Sequence, residues 1–262
     1  MSTAAVVHFA PSYGTVLKQQ LRLLWLSRMP WFLAGLLLVP VAASAAMILY
    51  NGDSLGLLVL HLVPIVGFAS GAWGLLIWRD EGPAKRAHQW SLPVDRPAHD
   101  LARVMAGAVW LLAMLGPFLS MTILMGLLSP DADAVRNGLP LLLPHYLLSS
   151  LTIFLLVAVL STALNRPAEW LIMGFLALMI LSITAALADL RIAERTVRLV
   201  MDSPYSIGTA LRTGAAGASV RMNRPEYADL SFYYSEWLPV AVAWLAIAII
   251  AVAAAAYVRR AR

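Results

Sequence analysis

Residues 55–78 read LGLLVLHLVPIVGFASGAWGLLIW, and residues 79–96, which follow directly, read RDEGPAKRAHQWSLPVDR. The first stretch contains no Asp, Glu, Lys or Arg. A hydrocarbon core about 30 Å thick needs roughly 20 apolar residues of helix, so this stretch predicts a membrane-spanning helix. The second stretch is rich in charge. It predicts a compact element outside the lipid, placed where another molecule can hold it.

The composition indicates a polytopic membrane protein. Hydrophobic residues make up 61% of the 262 residues and charged residues 13%, and the mean hydropathy is +0.77. A soluble domain of this length would need more surface charge. The long runs are continuously apolar, which predicts helices rather than barrel strands, because every backbone amide in lipid needs a partner. The predicted spans lie at about 31–50, 55–78, 104–128, 139–164, 168–188 and 237–258.

Most connections between these spans are short, so the chain is expected to form one bundle. We predict an all-α polytopic membrane protein with six transmembrane helices and a single domain over residues 1–262. Residues 1–30 are predicted to form a cytoplasmic elbow, and residues 189–236 an external segment between helices five and six. The elbow should contain an amphipathic helix whose apolar face rests in the membrane interface. That face is formed by Val16, Leu17, Leu21, Leu24 and Trp25.

Basic residues predict the orientation, since Lys and Arg are enriched in cytoplasmic connections. An even number of spans places both termini on one side, and we expect that side to be cytoplasmic. It receives Lys18, Arg22, Arg28, Arg79, Lys85, Arg86, Arg96, Arg103, Arg166, Arg259, Arg260 and Arg262. The other side has Arg136 in its short loops, although the arginines of residues 189–236 count against the assignment. Because the basic residues are dispersed beside spans, the net charge of +5 does not indicate a nucleic-acid partner.

Several kinds of chemistry are excluded by what the sequence lacks. It contains no Cys, so thiolate metal sites and disulfides are impossible, and it has no phosphate-binding G-x-x-x-x-G-K-[ST] motif. No charged residue lies in the middle of a predicted span, where a secondary transporter would need a site for its coupling ion. Neither His61 nor His145 has a metal-ligand partner one helical turn later. We therefore expect no catalytic, cofactor-binding or metal-binding residue in this chain.

Four small residues in the second predicted span lie at spacings of i, i+3, i+4 and i+7: Gly67, Ser70, Gly71 and Gly74. A stripe of this kind lets another helix approach closely, so we interpret it as a helix-packing face. One alternative stays open. Phe68-Ala69-Ser70-Gly71 resembles the G-x-S-G motif of rhomboid intramembrane proteases, with His145 in another span as a conceivable base. The first Gly of that motif is missing here, and no convergent set of acid, base or metal ligands is evident.

The charged insert carries a more specific resemblance. Glu81-Gly82, followed by Ser91-Leu92-Pro93-Val94-Asp95-Arg96 leading into span three, resembles the cytoplasmic loop of the type-2 ABC exporter permeases. The predicted layout is similar as well, with an elbow, six spans and a long external excursion before span six. Three departures occur: Asp95 replaces a hydroxyl residue, Ala102-Arg103 replaces Gly-Lys, and His88-Gln89-Trp90 is more polar than the usual apolar run.

The resemblance implies a function and a set of partners. Residues 79–100 would form a coupling loop that docks on a cytoplasmic ATPase, with contacts from Asp80, Glu81, Gly82, Lys85, Arg86, Leu92, Pro93 and Arg96. Two ATPase subunits, which bind the ATP and Mg, and a second permease chain would complete the transporter. The expected location is a bacterial cytoplasmic membrane, and the absence of charge within the spans favours an amphipathic or lipid-like cargo. The alternative is a membrane-embedded enzyme or intramembrane protease that uses Ser70 and His145.

Overall fold

The computed structural model describes residues 12–51, 55–79, 95–128, 132–164, 167–187 and 238–260. The described residues form helices, with turns at 27–28 and 77–79, and they contain no strand. The fold class, as far as these residues extend, is therefore all-helical, as predicted. In chain order the helices are α1 (Tyr13–Leu26), α2 (Met29–Asn51), α3 (Leu55–Leu76), α4 (Arg96–Leu128), α5 (Ala132–Ala163), α6 (Pro167–Leu187) and α7 (Leu238–Arg260).

Three of these helices are long and apolar enough to cross a membrane by length and composition: Arg96–Leu124, Leu143–Ala163 and Leu238–Val258. Helix α1 and the start of α2 are bent by 63° against each other. If these two segments count as one broken span, the number of candidate spans rises to four. The chain is thus compatible with membrane insertion. Helices α2, α3 and α6 coincide with the other predicted spans, and their role as spans stays a prediction.

Helix α4 begins earlier than the hydropathy predicts. It starts at Arg96 rather than near residue 104, so the last residues of the predicted coupling loop are helical. Pro97 occupies the first turn, where its missing N–H costs nothing, and the His99 N–H already donates to the Asp95 carbonyl at 3.0 Å. Hydropathy reports where a helix meets lipid, whereas the helix itself begins at its capping residues.

A sharp turn separates α1 from α2. Ser12 caps the start of α1, where its hydroxyl accepts from the Thr15 N–H, and the Ser27 hydroxyl donates to the Leu24 carbonyl at 2.6 Å at the other end. The next residue, Arg28, has a φ of 60°, and its N–H donates to the Trp25 carbonyl. A residue of left-handed conformation commonly ends a helix, and here it redirects the chain into α2.

The apolar face of α1 packs on protein, which corrects the expectation that it rests in the membrane interface. Val16 and Leu24 are buried, and Leu17 and Leu21 pack against the same core. The partner is chiefly α4. The apolar spacing was read correctly as a helix, but periodicity cannot tell whether lipid or a neighbouring helix covers the apolar side. Trp25 alone among the predicted face residues stays substantially exposed.

The small-residue side of α3 lies against α5. A Cβ built on Gly67 would meet Ile153 at 3.4 Å, and one on Gly74 would lie 2.8 Å from the Phe154 carbonyl oxygen. Because later residues of α3 meet later residues of α5, the two helices run parallel. The Ser161 hydroxyl also donates to the Gly74 carbonyl at 2.9 Å, which closes the contact at this end.

Helix α4, which lies between α3 and α5 in the chain, runs in the opposite direction to both. Its Arg103 meets Ile77 and its Gly107 meets Trp73, while Gly107 also faces Phe154 and Phe118 stacks edge-on against Tyr146. Helix α7 begins beside Leu148 and packs along α5. By contrast, α6 has little contact with the bundle and leaves most of its described side chains exposed.

Gly74 should be the least replaceable position of the stripe. We expect Gly74→Ala to destabilise the protein by about 1–3 kcal/mol, because the new methyl group overlaps backbone and branched side-chain atoms that cannot move away. Gly71→Ala is the matched control, since its Cβ would lie at an ordinary 3.6 Å from Ile153. Thermal unfolding of the detergent-solubilised chain measures both. An equal loss of stability in the two variants would contradict the close packing at Gly74.

Candidate functional site

The two ends of the charged insert are the part of the predicted coupling loop that the structure describes. Helix α3 is followed by a turn over residues 77–79, and the chain is described again from Asp95. Arg96, the first residue of α4, is exposed at this end of the bundle. The other predicted coupling residues lie outside the described residues: Asp80, Glu81, Gly82, Lys85, Arg86, Leu92 and Pro93.

A buried arginine joins these two ends. Arg103 is only 3% exposed, and its Nε donates to the Ile77 carbonyl at 2.9 Å. The last carbonyls of a helix have no partner within the helix and carry the negative end of its dipole, so a guanidinium is a favourable cap there. The start of α4 therefore closes the end of α3, although the insert between them spans residues 80–94.

Gln20 extends this connection to α1. Its Oε1 accepts from Arg103 Nη1 at 3.0 Å, and its Nε2 lies 2.9 Å from His99 Nε2. His99 Nδ1 in turn lies 3.5 Å from Asp100 Oδ1. We call Gln20, His99, Asp100, Arg103 and the Ile77 carbonyl the buried polar frame.

Hydrogen-bond directions in the frame are consistent with one arrangement. Arg103 can only donate, so the Gln20 oxygen faces it and the Gln20 amide nitrogen donates to His99 Nε2. This assigns the proton of a neutral His99 to Nδ1, on the side of Asp100. A protonated His99 would instead place two donors against each other at Gln20. The frame thus fixes the side-chain orientations as well as the three chain segments.

Indole groups add two further attachments between the same helices. Trp73 Nε1 donates to the Gly107 carbonyl at 2.8 Å, which ties α3 to α4. Trp110 Nε1 donates to the Leu21 carbonyl at 3.2 Å, which ties α4 to α1. Trp110 also stacks on Trp25, with ring centroids 4.9 Å apart. Each indole buries a large apolar surface while its N–H is satisfied, so these contacts stiffen the region around the frame.

The frame combines groups from three parts of the chain. The end of α3, the start of α4 and α1 are held together by hydrogen bonds of a buried guanidinium. No group of three His, Cys, Asp or Glu that could hold a metal ion occurs among the described residues.

Ser70 and His145 are not brought together. The Ser70 hydroxyl donates to the Val66 carbonyl of its own helix at 2.8 Å, and His145 Nδ1 lies 3.4 Å from the Ser149 hydroxyl. The Ser70 region packs near Ile153, which is two helical turns after His145, or about 12 Å along the axis. A serine nucleophile and its base need to lie within hydrogen-bond reach. The geometry gives the protease alternative no support.

Sequence reasoning missed the members of the frame. Gln20 was the available signal, because it lies between Val16 and Leu24 at helical spacing and so interrupts an apolar face. A polar side chain in that position needs a buried partner. Arg103 was taken as a topology signal beside a span, and nothing in its local sequence distinguishes a buried guanidinium from one that reaches water.

The comparisons with known proteins identify no relative. The chain matches no protein-family model, and no curated protein and no solved structure matches it significantly. A functional interpretation therefore depends on the sequence motifs and on the geometry of the frame.

The frame predicts strong coupling between two distant positions of the chain. Gln20→Ala and Arg103→Met should each lower the free energy of unfolding, and in a double-mutant cycle their effects should be non-additive by about 1–3 kcal/mol, because they share a charge-assisted hydrogen bond. Unfolding of the full chain in mixed micelles measures the cycle.

A second cycle provides the control. Gln20→Ala combined with Ser161→Ala should be additive, since the Ser161 hydroxyl bonds to Gly74 and Ala158 and shares no partner with Gln20. If the effects of Gln20→Ala and Arg103→Met were additive, the hydrogen bond between the two side chains would contribute nothing to the free energy of unfolding.

Proposed function

We propose that the chain is the permease subunit of an ATP-driven ABC exporter, with the charged insert as its coupling loop. The observation that carries the proposal is the buried polar frame, in which Arg103 and Gln20 join both ends of the insert to α1. A solvent-exposed loop of no function has no need of a buried guanidinium at its base, since burying that charge is costly unless it is fully paired. A loop that transmits force needs such a rigid base.

The helix directions support the proposed topology of six spans. Helices α3 and α5 run parallel, and α4, which connects to both in chain order, runs in the opposite direction, as consecutive membrane crossings must. With α2 and α6 as further spans, both termini and the insert lie on one side, which the basic residues assign to the cytoplasm. In this proposal α1 is the elbow and the membrane is the bacterial cytoplasmic membrane.

Force on the insert has a direct route into the bundle. The insert pulls on the end of α3 and the start of α4, which move with α1 through the frame. Gly107 of α4 and Gly74 of α3 both lie in very close contact with Phe154, so α5 must follow their movement. The proposed consequence is a change at the bundle surface that faces the second permease chain.

Cargo and partners follow from the same proposal. ATP and Mg bind to two separate ATPase subunits, because this chain has no phosphate-binding motif of its own. The exposed apolar side chains of α6, among them Trp170, Ile172 and Met173, can be covered by lipid or by the second permease chain. The apolar spans suit an amphipathic or lipid-like cargo better than an ion.

Charge reversals in the insert test the assignment. We expect Glu81→Lys and Arg96→Glu to uncouple ATP hydrolysis from transport, or to release the ATPase, while the bundle stays folded, because both residues lie outside the predicted hydrocarbon region. Two measurements are needed. The first is the ATPase activity that co-purifies with the tagged chain from native membranes, and the second is the thermal unfolding of the tagged chain itself.

Glu169→Lys is the matched control. Glu169 is an exposed acid in the first turn of α6, on the same predicted side as the insert but in another connection. It should leave ATPase retention unchanged. If both reversals in the insert also leave retention and hydrolysis unchanged, the coupling assignment is wrong.

Accessibility of introduced cysteines tests the topology. The chain has no Cys, so a single Cys at Ser54, Asp133 or Ser219 reports its own position only. In intact cells these three should react with a membrane-impermeant maleimide, whereas Cys at Ala87 should react only after permeabilisation. External labelling at Ala87 would invert the topology and separate the insert from intracellular ATP.

A further inference from the structure

The outer side of the elbow carries three exposed basic residues that the frame does not use. Lys18 and Arg22 lie one helical turn apart on α1, on the side opposite the buried Gln20 and Leu24. Arg28 lies at the bend between α1 and α2 and is exposed as well. We call Lys18, Arg22 and Arg28 the elbow cations.

Acidic residues do not neutralise this surface within the described part of the chain. The first acidic residue of the whole sequence is Asp53, so α1 and α2 contain none. Helix α4, which packs against α1, has one acid, Asp100, and this residue is buried next to His99. No side-chain hydrogen bond or ion pair of an elbow cation occurs among residues 12–51, 55–79 and 95–128. The three positive charges are available to a partner.

Arg28 has a backbone conformation that is unusual for a residue with a side chain. Its φ of 60° is the left-handed conformation that usually favours Gly at the end of a helix. A side chain with a Cβ is strained there, and such strain persists where the surrounding structure or a function requires it. Gly would make the same turn without strain, but it would remove the positive charge from the bend.

Exposed aromatic and aliphatic side chains surround the bend. Trp25, Leu26, Trp31 and Phe32 are all between 41% and 65% exposed, and Trp25 and Trp31 stand with ring centroids 5.2 Å apart. Trp is characteristic of the membrane–water interface, and Lys and Arg beside it extend their charges to the lipid headgroups. Cationic and aromatic groups therefore lie side by side at this bend.

We propose that the elbow cations form a binding surface for the headgroups of anionic phospholipids. Charge complementarity identifies the partner, since no acid of the described residues neutralises the surface, and the adjacent aromatic residues place it against a bilayer. Each basic residue near an anionic membrane surface contributes a factor of about five in association, and the effect is screened by salt. This inference does not depend on the proposed transport function.

A local reporter can measure the lipid composition next to the elbow. Gln19 is exposed on α1 and can be replaced by a fluorophore-labelled Cys in the full-length, otherwise Cys-free chain. The chain is reconstituted in phosphatidylcholine bilayers that contain either spin-labelled phosphatidylglycerol or spin-labelled phosphatidylcholine as quencher. We expect phosphatidylglycerol to quench at least about twofold more efficiently at low salt, and the difference to fall in high salt.

Two sets of variants separate lipid binding from folding. Lys18→Gln/Arg22→Gln/Arg28→Gln should abolish the preference for phosphatidylglycerol. Arg28→Gly alone should reduce the preference while it maintains or raises the thermal midpoint, because it removes the charge together with the strained Cβ. A label at the exposed Ser120 of α4, away from the elbow, should report no preference.

Equal quenching by the two lipids in the unmodified elbow would overturn the proposal, as would a preference that survives in the triple variant. A triple variant that keeps its lipid preference but loses association with an ATPase or with a second copy of the chain would assign the surface to a protein partner instead.

Discussion

The rest of the structure depends on the placement of one positive charge. Arg103 lies in the interior, where an unpaired guanidinium would be strongly destabilising, so its donors must be satisfied by groups that stay in place. The Ile77 carbonyl supplies one acceptor and the Gln20 side chain another. This requirement joins three segments that are distant in sequence. It also explains why α1 packs on α4 instead of spreading its apolar face in the membrane interface.

Close packing extends this constraint into the bundle. Gly107 lies one helical turn after Arg103 and accepts the Trp73 hydrogen bond through its carbonyl. A side chain at Gly107 would meet Phe154 at 2.8 Å, and one at Gly74 would meet the backbone of the same residue. The polar frame joins α1, α3 and α4, and the glycine contacts join α3 and α4 to α5. Under the proposed coupling, a movement at the insert would pass from α3 and α4 into α5, because tightly packed interiors have little free volume to absorb it.

The sequence predicted the elements better than their contacts. Continuous apolar runs located the six long helices, and the spacing of Gly67 and Gly74 indicated the side of α3 that lies against α5. The start of α4 was placed too late, because hydropathy does not detect the turn of helix that begins at Arg96. Neither the pairing of Gln20 with Arg103 nor the close contact at Gly107 could be predicted, since both depend on how helices from distant parts of the chain are arranged. The left-handed backbone conformation of Arg28 could not be predicted either, because a positive φ is unusual for Arg and no local sequence pattern indicates it.

The most direct test of the account is a distance measurement across the frame. Spin labels attached to Cys at the exposed positions Gln19 and Arg79 report the separation of α1 from the end of α3. If Arg103 holds these segments together, the labels should give one narrow distance distribution in the full chain, and Arg103→Met should broaden it. A distribution that stays equally narrow in Arg103→Met would contradict the account, because α1 and α3 would then be held together without the buried guanidinium.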